Sequence, residues 1–110
     1  MIMTPENRTL VRVANFSEFP GGRHRADGPA SGEQFRQEVL DGFMSRGTPI
    51  ILDFNGVFTV APSFLDEALG PYMASFGKSR FDGLIQINAS EDPDILKDLD
   101  IIRAQRFRKK

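Results

Sequence analysis

The chain reads as an α/β domain, with a small mixed or mostly parallel sheet of three to four strands packed with about three helices. Two observations predict this class. Strand-like and helix-like segments alternate in the order β, α, β, α, β, α, which is the pattern of crossover helices packed on a sheet. The length of 110 residues, with 40% hydrophobic and 26% charged residues, suits one compact domain over residues 1–110, burying roughly 65% of its unfolded surface. Residues 1–8 are expected as a flexible N-terminus.

Each element has its own signal. Thr9 to Phe16, "TLVRVANF", starts in alternation and turns more continuously apolar, as a first strand with one partly exposed side does. Ser17 to Ala30 gathers glycine, proline and charge without periodicity, so it is expected as a long loop, with residues Phe19 to Pro29 as the place for a fourth, edge strand. At Ser31 the pattern changes. Ser31 with Gln34 forms a capping box, and Phe35, Val39 and Phe43 recur at four-residue spacing until Gly47 and Pro49 end this first helix. "PIILDFNGV" is a short apolar run rich in β-branched residues and is expected as a central strand covered on both faces.

Phe64, Leu65, Ala68, Leu69, Tyr72, Met73 and Phe76 then repeat at helical spacing, predicting a second helix from Pro62 to Phe76 with a kink near Gly70-Pro71. "GLIQIN", Gly83 to Asn88, is the third strand. Glu91 to Asp94 opens the last helix with acids and a proline, and Leu96, Leu99, Ile102 and Gln105 continue it toward the basic end "RFRKK". The basic tail from Arg103 to Lys110 has two readings, a solvated helix terminus or a patch for an acidic peptide or nucleic acid, and the first is preferred.

Composition limits the chemistry. With no cysteine there is no disulfide framework, iron–sulfur centre or thiolate nucleophile, and a reducing cytoplasm is the expected location. The start "MIMTPENRTL" lacks the pattern of a signal peptide, and no apolar run approaches the roughly 20 residues of a membrane span. A net charge of −1 and a pI of 5.8 give no general attraction to nucleic acid or to an anionic membrane, so neither is expected as a partner.

Candidate functional residues are few. His24 is the single histidine, too few for a histidine-based zinc site or a Ser-His-Asp triad, and no metal or cofactor is expected. Asp53, inside "ILDF", could serve as general base or metal ligand at the sheet's C-terminal edge; the stronger reading is a hydrogen bond to a nearby loop backbone. Asp66 and Glu67 are adjacent and so about 100° apart on a helix, unable to face one another as a catalytic pair. They are expected to complement the helix dipole. The loop "PGGRHRADGPASGE" offers an anion cradle in which Gly22, Gly32 and the start at Ser31 would be closed by Arg23 and Arg25, although it matches neither a Walker motif nor a dinucleotide fingerprint. Ser63 is expected to cap the second helix, with Asp66 reaching back toward its backbone and Pro62 before it. A phosphate on its hydroxyl would be tolerated at the positive helix end and would add about −1.5 to −2 charges.

The order of "IILDF", a short loop, a serine at a helix start, a third strand and a terminal helix resembles the STAS superfamily of sulfate-transporter and anti-sigma-factor-antagonist domains. More closely, "GGRHRADGPASGEQFRQEVL" and "ILDFNGVFTVAPSFLDEALG" resemble the two signature blocks of a bacterial STAS-like family of unassigned function, and the resemblance covers the whole chain. It implies a STAS-like fold and a protein-binding habit. In antagonists of the superfamily a serine at this helix start is phosphorylated by a partner anti-sigma kinase, and Ser63 is the matching position, although the antagonists' Asp-Ser-Ser-Gly stands here as Ala61-Pro62-Ser63-Phe64. The expected function is a non-enzymatic regulatory domain that binds a kinase-like ATPase or an anti-sigma-like regulator. Its partner surface would run from Thr59 through Pro62, Ser63 and Phe64 to Asp66 and Glu67, with Ser63 as phosphoacceptor. The alternative is a small-anion or nucleotide sensor using residues 21–32. Nothing in the pattern fixes an oligomeric state.

Overall fold

The structure is a computed structural model that describes residues 7–107. Its elements run β1 (Thr9–Arg12), a helical turn α1 (Val13–Phe16), a 3-10 turn (Arg25–Asp27), α2 (Gly32–Phe35), a π-helical turn (Arg36–Leu40), α3 (Asp41–Ser45), β2 (Ile50–Asp53), α4 (Pro62–Phe76), α5 (Lys78–Leu84), β3 (Ile85–Asn88) and α6 (Asp94–Phe107). The architecture is α/β, with the three strands in the order β1-β2-β3, all parallel and β2 central as expected. Of the segment expected to be flexible, residues 1–6 lie outside the described residues. Arg8 is tied down, donating to the carbonyls of Ile50, Leu84 and Gly83 at 3.2, 3.3 and 2.9 Å.

The register explains where the core sits. Successive side chains alternate between faces, and the pairing aligns Thr9, Ile50 and Ile85, then Val11, Leu52 and Ile87, on one side. Val11, Ile50, Leu52 and Ile85 are buried there. On the opposite side Leu10 and Ile51 are half-buried, Asp53 is buried and Gln86 is exposed, so β2, expected to be covered on both faces, is fully covered on one and partly on the other. A ring contact series carries the core outward from the sheet: Phe16 lies 5.1 Å from Phe35, and Phe35 lies 5.8 Å from Phe64.

Four sequence expectations change. The first strand stops at Arg12 rather than Phe16, because its partner β2 ends at Asp53 opposite it; with no ladder left, residues 13–16 turn helically, and Ser17 N–H closes that turn on the Val13 carbonyl at 2.9 Å. The loop supplies no fourth strand among the described residues: a backbone bond from Gly21 N–H to the Ala30 carbonyl, 2.7 Å, helps close it around the 3-10 turn without forming a ladder. Helix α5 takes residues read as a connection and shortens the third strand to Ile85–Asn88. It holds by burying Phe81, whose ring meets Phe107 at 5.8 Å. The basic end of α6 is not simply solvated, since Arg103 grips Asp82 of α5 at 2.7 and 3.0 Å. Residues 108–110 of that end lie outside the described residues.

The first helix begins as expected, with Ser31 Oγ accepting from Gln34 N–H at 3.0 Å, but the Gln34 side chain reaches one residue further back, accepting from Ala30 N–H at 3.1 Å. Here Gly32 is required by contact. A Cβ at Gly32 would stand 2.5 Å from the Phe64 carbonyl oxygen and 3.2 Å from Ala68 N, so α2 and α4 touch through backbone at this point. Among the described residues no helix is long and apolar enough to cross a membrane.

Two outcomes follow from this packing. Gly32→Ala forces α2 away from α4 and is expected to cost about 1–3 kcal/mol in urea denaturation; an unchanged midpoint would contradict the backbone contact. The hydrogen bond from Arg103, aided by Lys78, holds the Asp82 carboxyl below its ordinary 3.8, at about 2. A carboxylate lowered on folding adds stability above its unfolded value and loses it as pH falls through its folded value. Wild type is therefore expected to lose stability as pH drops from 3.8 toward about 2, and Asp82→Asn to lose less over the same window, read from urea midpoints at each pH.

Candidate functional site

The strands end side by side at Arg12, Asp53 and Asn88, and this C-terminal edge of the sheet sets the loop after β2. Asp53 Oδ1 accepts from Asn55 N–H at 3.0 Å and from Asn88 Nδ2 at 3.3 Å, while its Oδ2 stands 3.5 Å from Arg12 Nε. Asp53 thus secures a loop backbone, the structural role expected of it. Asn55 continues the lattice, giving Nδ2 to Ser90 Oγ at 2.9 Å and accepting from Glu91 N–H at 3.0 Å. Gly56 N–H donates to Glu91 Oε1 at 3.0 Å.

On this frame the loop carries an aromatic outward. Phe58 is 77% exposed and Phe19, from the loop after β1, is 66% exposed, with ring centroids 5.6 Å apart. Phe58 N–H donates to the Glu18 carbonyl at 2.7 Å, pinning the two loops together. Sequence reasoning missed this pair because it assigns apolar residues to the core; the available signal was Phe58 lying outside every periodic run, between Gly56 and Pro62. Of the residues expected to form a partner surface, Thr59 and Pro62 are exposed, whereas Phe64 is fully buried and belongs to the core.

Helix α4 starts at Pro62 as the spacing predicts, one residue too early for Ser63 to be its cap. Proline's fixed φ suits the first helical position, so the cap falls before Pro62, at Ala61. Ser63 sits inside the first turn, half-buried, and its hydroxyl makes no hydrogen bond to a described residue. The expected serine cap with Asp66 reaching back is therefore corrected, and Asp66 turns outward to arginines. Arg23 Nη1 binds Asp66 Oδ2 at 2.7 Å, and Arg106 of α6 binds the same carboxylate through Nε at 3.0 Å and Nη2 at 3.2 Å. Burial pushes the Asp66 carboxyl up, yet the hydrogen bonds from Arg106 and Arg23 together hold it below the ordinary range; the bond to Asp66 raises Arg23 in turn. Gly70 leaves the space for this, because a Cβ there would lie 2.7–2.8 Å from the Arg106 guanidinium.

Glu67 answers a different need. Pro71 has no N–H to give the carbonyl four residues earlier, which is that of Glu67. Arg36, on the π-helical turn, fills the gap by donating Nη1 to the Glu67 carbonyl and, at 2.7 Å, to Glu67 Oε2. α4 continues through Pro71 to Phe76. His24 Nε2 stands 3.5 Å from Glu67 Oε1.

The glycine-rich loop spends its groups internally. Gly32 N–H donates to the Gly22 carbonyl at 2.9 Å, Glu33 N–H to the Arg23 carbonyl at 3.0 Å, and Gln34 N–H to Ser31 Oγ, so the first amides of α2 are already occupied. Arg25 is paired with Glu38 at 3.2 Å and Gln37 at 3.1 Å. Arg23 pairs instead with Asp66, so the two arginines serve different partners. Among the described residues no three histidine, cysteine or acidic side chains are grouped to hold a metal ion.

Residues 31–94 match the STAS-like domain of unknown function (DUF4325), more than half of the chain, and the chain belongs to this family. The observed α/β fold with its parallel sheet agrees with that description. No curated protein and no solved structure matches it. The matched span includes Arg36, Ser63, Asp66 and Glu67, and leaves Arg23 and Arg106 outside.

Arg36→Met removes the donor to a largely buried carbonyl and carboxylate and is expected to cost about 1–3 kcal/mol of stability. Adding Pro71→Ala gives the Glu67 carbonyl an amide partner again, so the double variant is expected to recover part of that loss in a urea double-mutant cycle. Strict additivity would mean Arg36 does not serve the gap at Pro71.

Proposed function

We propose that this chain is a non-enzymatic regulatory and protein-interaction domain, similar in role to anti-sigma factor antagonists. Its partner is a kinase-like ATPase or an anti-sigma-like regulator, and its partner face is the loop and helix start around Ser63, extended by Phe19. The observation that carries this reading is the exposed Phe58–Phe19 pair, 77% and 66% open to solvent, held rigidly on a hydrogen-bonded loop beside the start of α4. Aromatic rings bury about 150–250 Å2 each when covered, and such anchors dominate interface energetics. Thr59 and Pro62 form the rim, and Ser63 is the phosphoacceptor at its border. A phosphate there adds charge next to an apolar contact and releases the partner.

The test uses a kinase-like ATPase encoded beside this chain's gene. Phe58→Ser is expected to weaken its binding about 10- to 100-fold by calorimetry while leaving the melting temperature unchanged. Incubation with ATP is expected to add one phosphate to wild type and none to Ser63→Ala by intact mass. Binding that ignores Phe58→Ser would remove the partner face; phosphate incorporation that ignores Ser63→Ala would remove the switch.

A further inference from the structure

Ser63 opens into a cavity of about 280 Å3 between α4 and α6, lined also by Arg23, Asp66, Asp98 and Gln105. We infer that this cavity receives the phosphate of phosphorylated Ser63, with the Arg23 side chain turning from Asp66 to bind it. The inference rests on the reading of Ser63 as a phosphoacceptor and adds how the modified state is held. In the transfer, Ser63 Oγ attacks the γ-phosphorus of ATP. The Oγ–P bond forms as the bond to the bridging oxygen of ADP breaks, ADP leaves, and the hydroxyl proton passes to the kinase's base.

Three features of the site support Arg23 as the receiving group. Ser63 and Asp66 are three residues apart on α4 and so share a face, which puts the Arg23 guanidinium, 2.7 Å from Asp66 Oδ2, one helical turn from the serine. Asp66 is served twice. Arg106 binds it through two nitrogens at 3.0 and 3.2 Å, so Arg23 can leave without stranding a half-buried carboxylate, whose isolation would be costly. Arg23's backbone is anchored as well, its carbonyl accepting from Glu33 N–H at 3.0 Å. Only the side chain has to move, and the loop that carries Phe19 stays in place.

The cation within reach of the phosphate is Arg23, the guanidinium on the cavity's lining. Arg23, Arg36 and Arg106 face Asp66 and Glu67, and His24 lies beside Glu67. Asp98 of α6 also lines the cavity and has no ion-pair partner among the described residues. It opposes the phosphate and supplies a second handle on the inference.

The experiment needs neither kinase nor partner: phosphoserine is genetically encoded at position 63 and its phosphate is titrated by 31P NMR. A free phosphoserine has its second pKa near 6. In the otherwise wild-type chain the midpoint is expected about half a pH unit or more lower, since an adjacent opposite charge favours the dianion. Arg23→Gln is expected to return it toward the free value, Arg23→Lys to keep much of the lowering, and Asp98→Asn to lower it further. Equal midpoints with and without the Arg23→Gln substitution overturn the inference, as does an Asp98→Asn midpoint that does not move, a comparison that serves even if Arg23→Gln folds poorly. Either result leaves the partner face at Phe58 standing, whereas binding that ignores Phe58→Ser leaves the phosphate titration untouched.

Discussion

Two adjacent carboxylates on α4 hold the molecule's separate parts to one another. Asp66 takes Arg23 from the loop after β1 and Arg106 from α6, and Glu67 takes Arg36 from the π-helical turn. Adjacent residues on a helix diverge by about 100°, so the pair addresses two directions at once and gathers three elements that are 31 to 43 residues away in sequence. The contributions are unequal. Arg36 and Glu67 are only 16% and 15% exposed, where breaking one partner is strongly destabilising, whereas Arg23 is 36% exposed and its pair behaves more as a surface ion pair of about 0–1 kcal/mol. The strong link is structural and the weak link can be spared.

This division follows from the local chemistry of α4. Pro71 would interrupt the helix at the Glu67 carbonyl, and the Arg36 guanidinium supplies the missing donor. Gly70, immediately before it, clears the path for Arg106 across the helix surface. Gly32 brings α2 against the α4 backbone, which sets Arg36 one turn later within reach of Glu67. Small residues and a proline thereby become positioning devices for long cations.

The other end of the design is the polar lattice at the C-terminal edge of the sheet. Strands in register end at Arg12, Asp53 and Asn88, and Asp53, Asn55 and Glu91 convert that edge into a fixed base for the loop of Phe58. A ring left in water on a rigid loop differs from one on a floppy segment, because less conformational entropy remains to be lost when a partner covers it.

Periodicity alone determined the order of strands and helices, the central place of β2, the start of the first helix at Ser31 and the span of α4, since these depend on local spacing and caps. It also read Asp53 correctly as a loop anchor. Local pattern placed a cap at Ser63, ran the first strand to Phe16 and passed over α5, because a proline at the first helical position, the end of a partner strand and the burial of Phe81 against Phe107 are settled by neighbours distant along the chain. The ion pairs of Asp66 and Glu67, the exposure of Phe19 and Phe58 and the cavity beside Ser63 belong wholly to tertiary structure. Charge pairing and solvent exposure depend on which surfaces meet in space, and no spacing along the chain encodes that meeting.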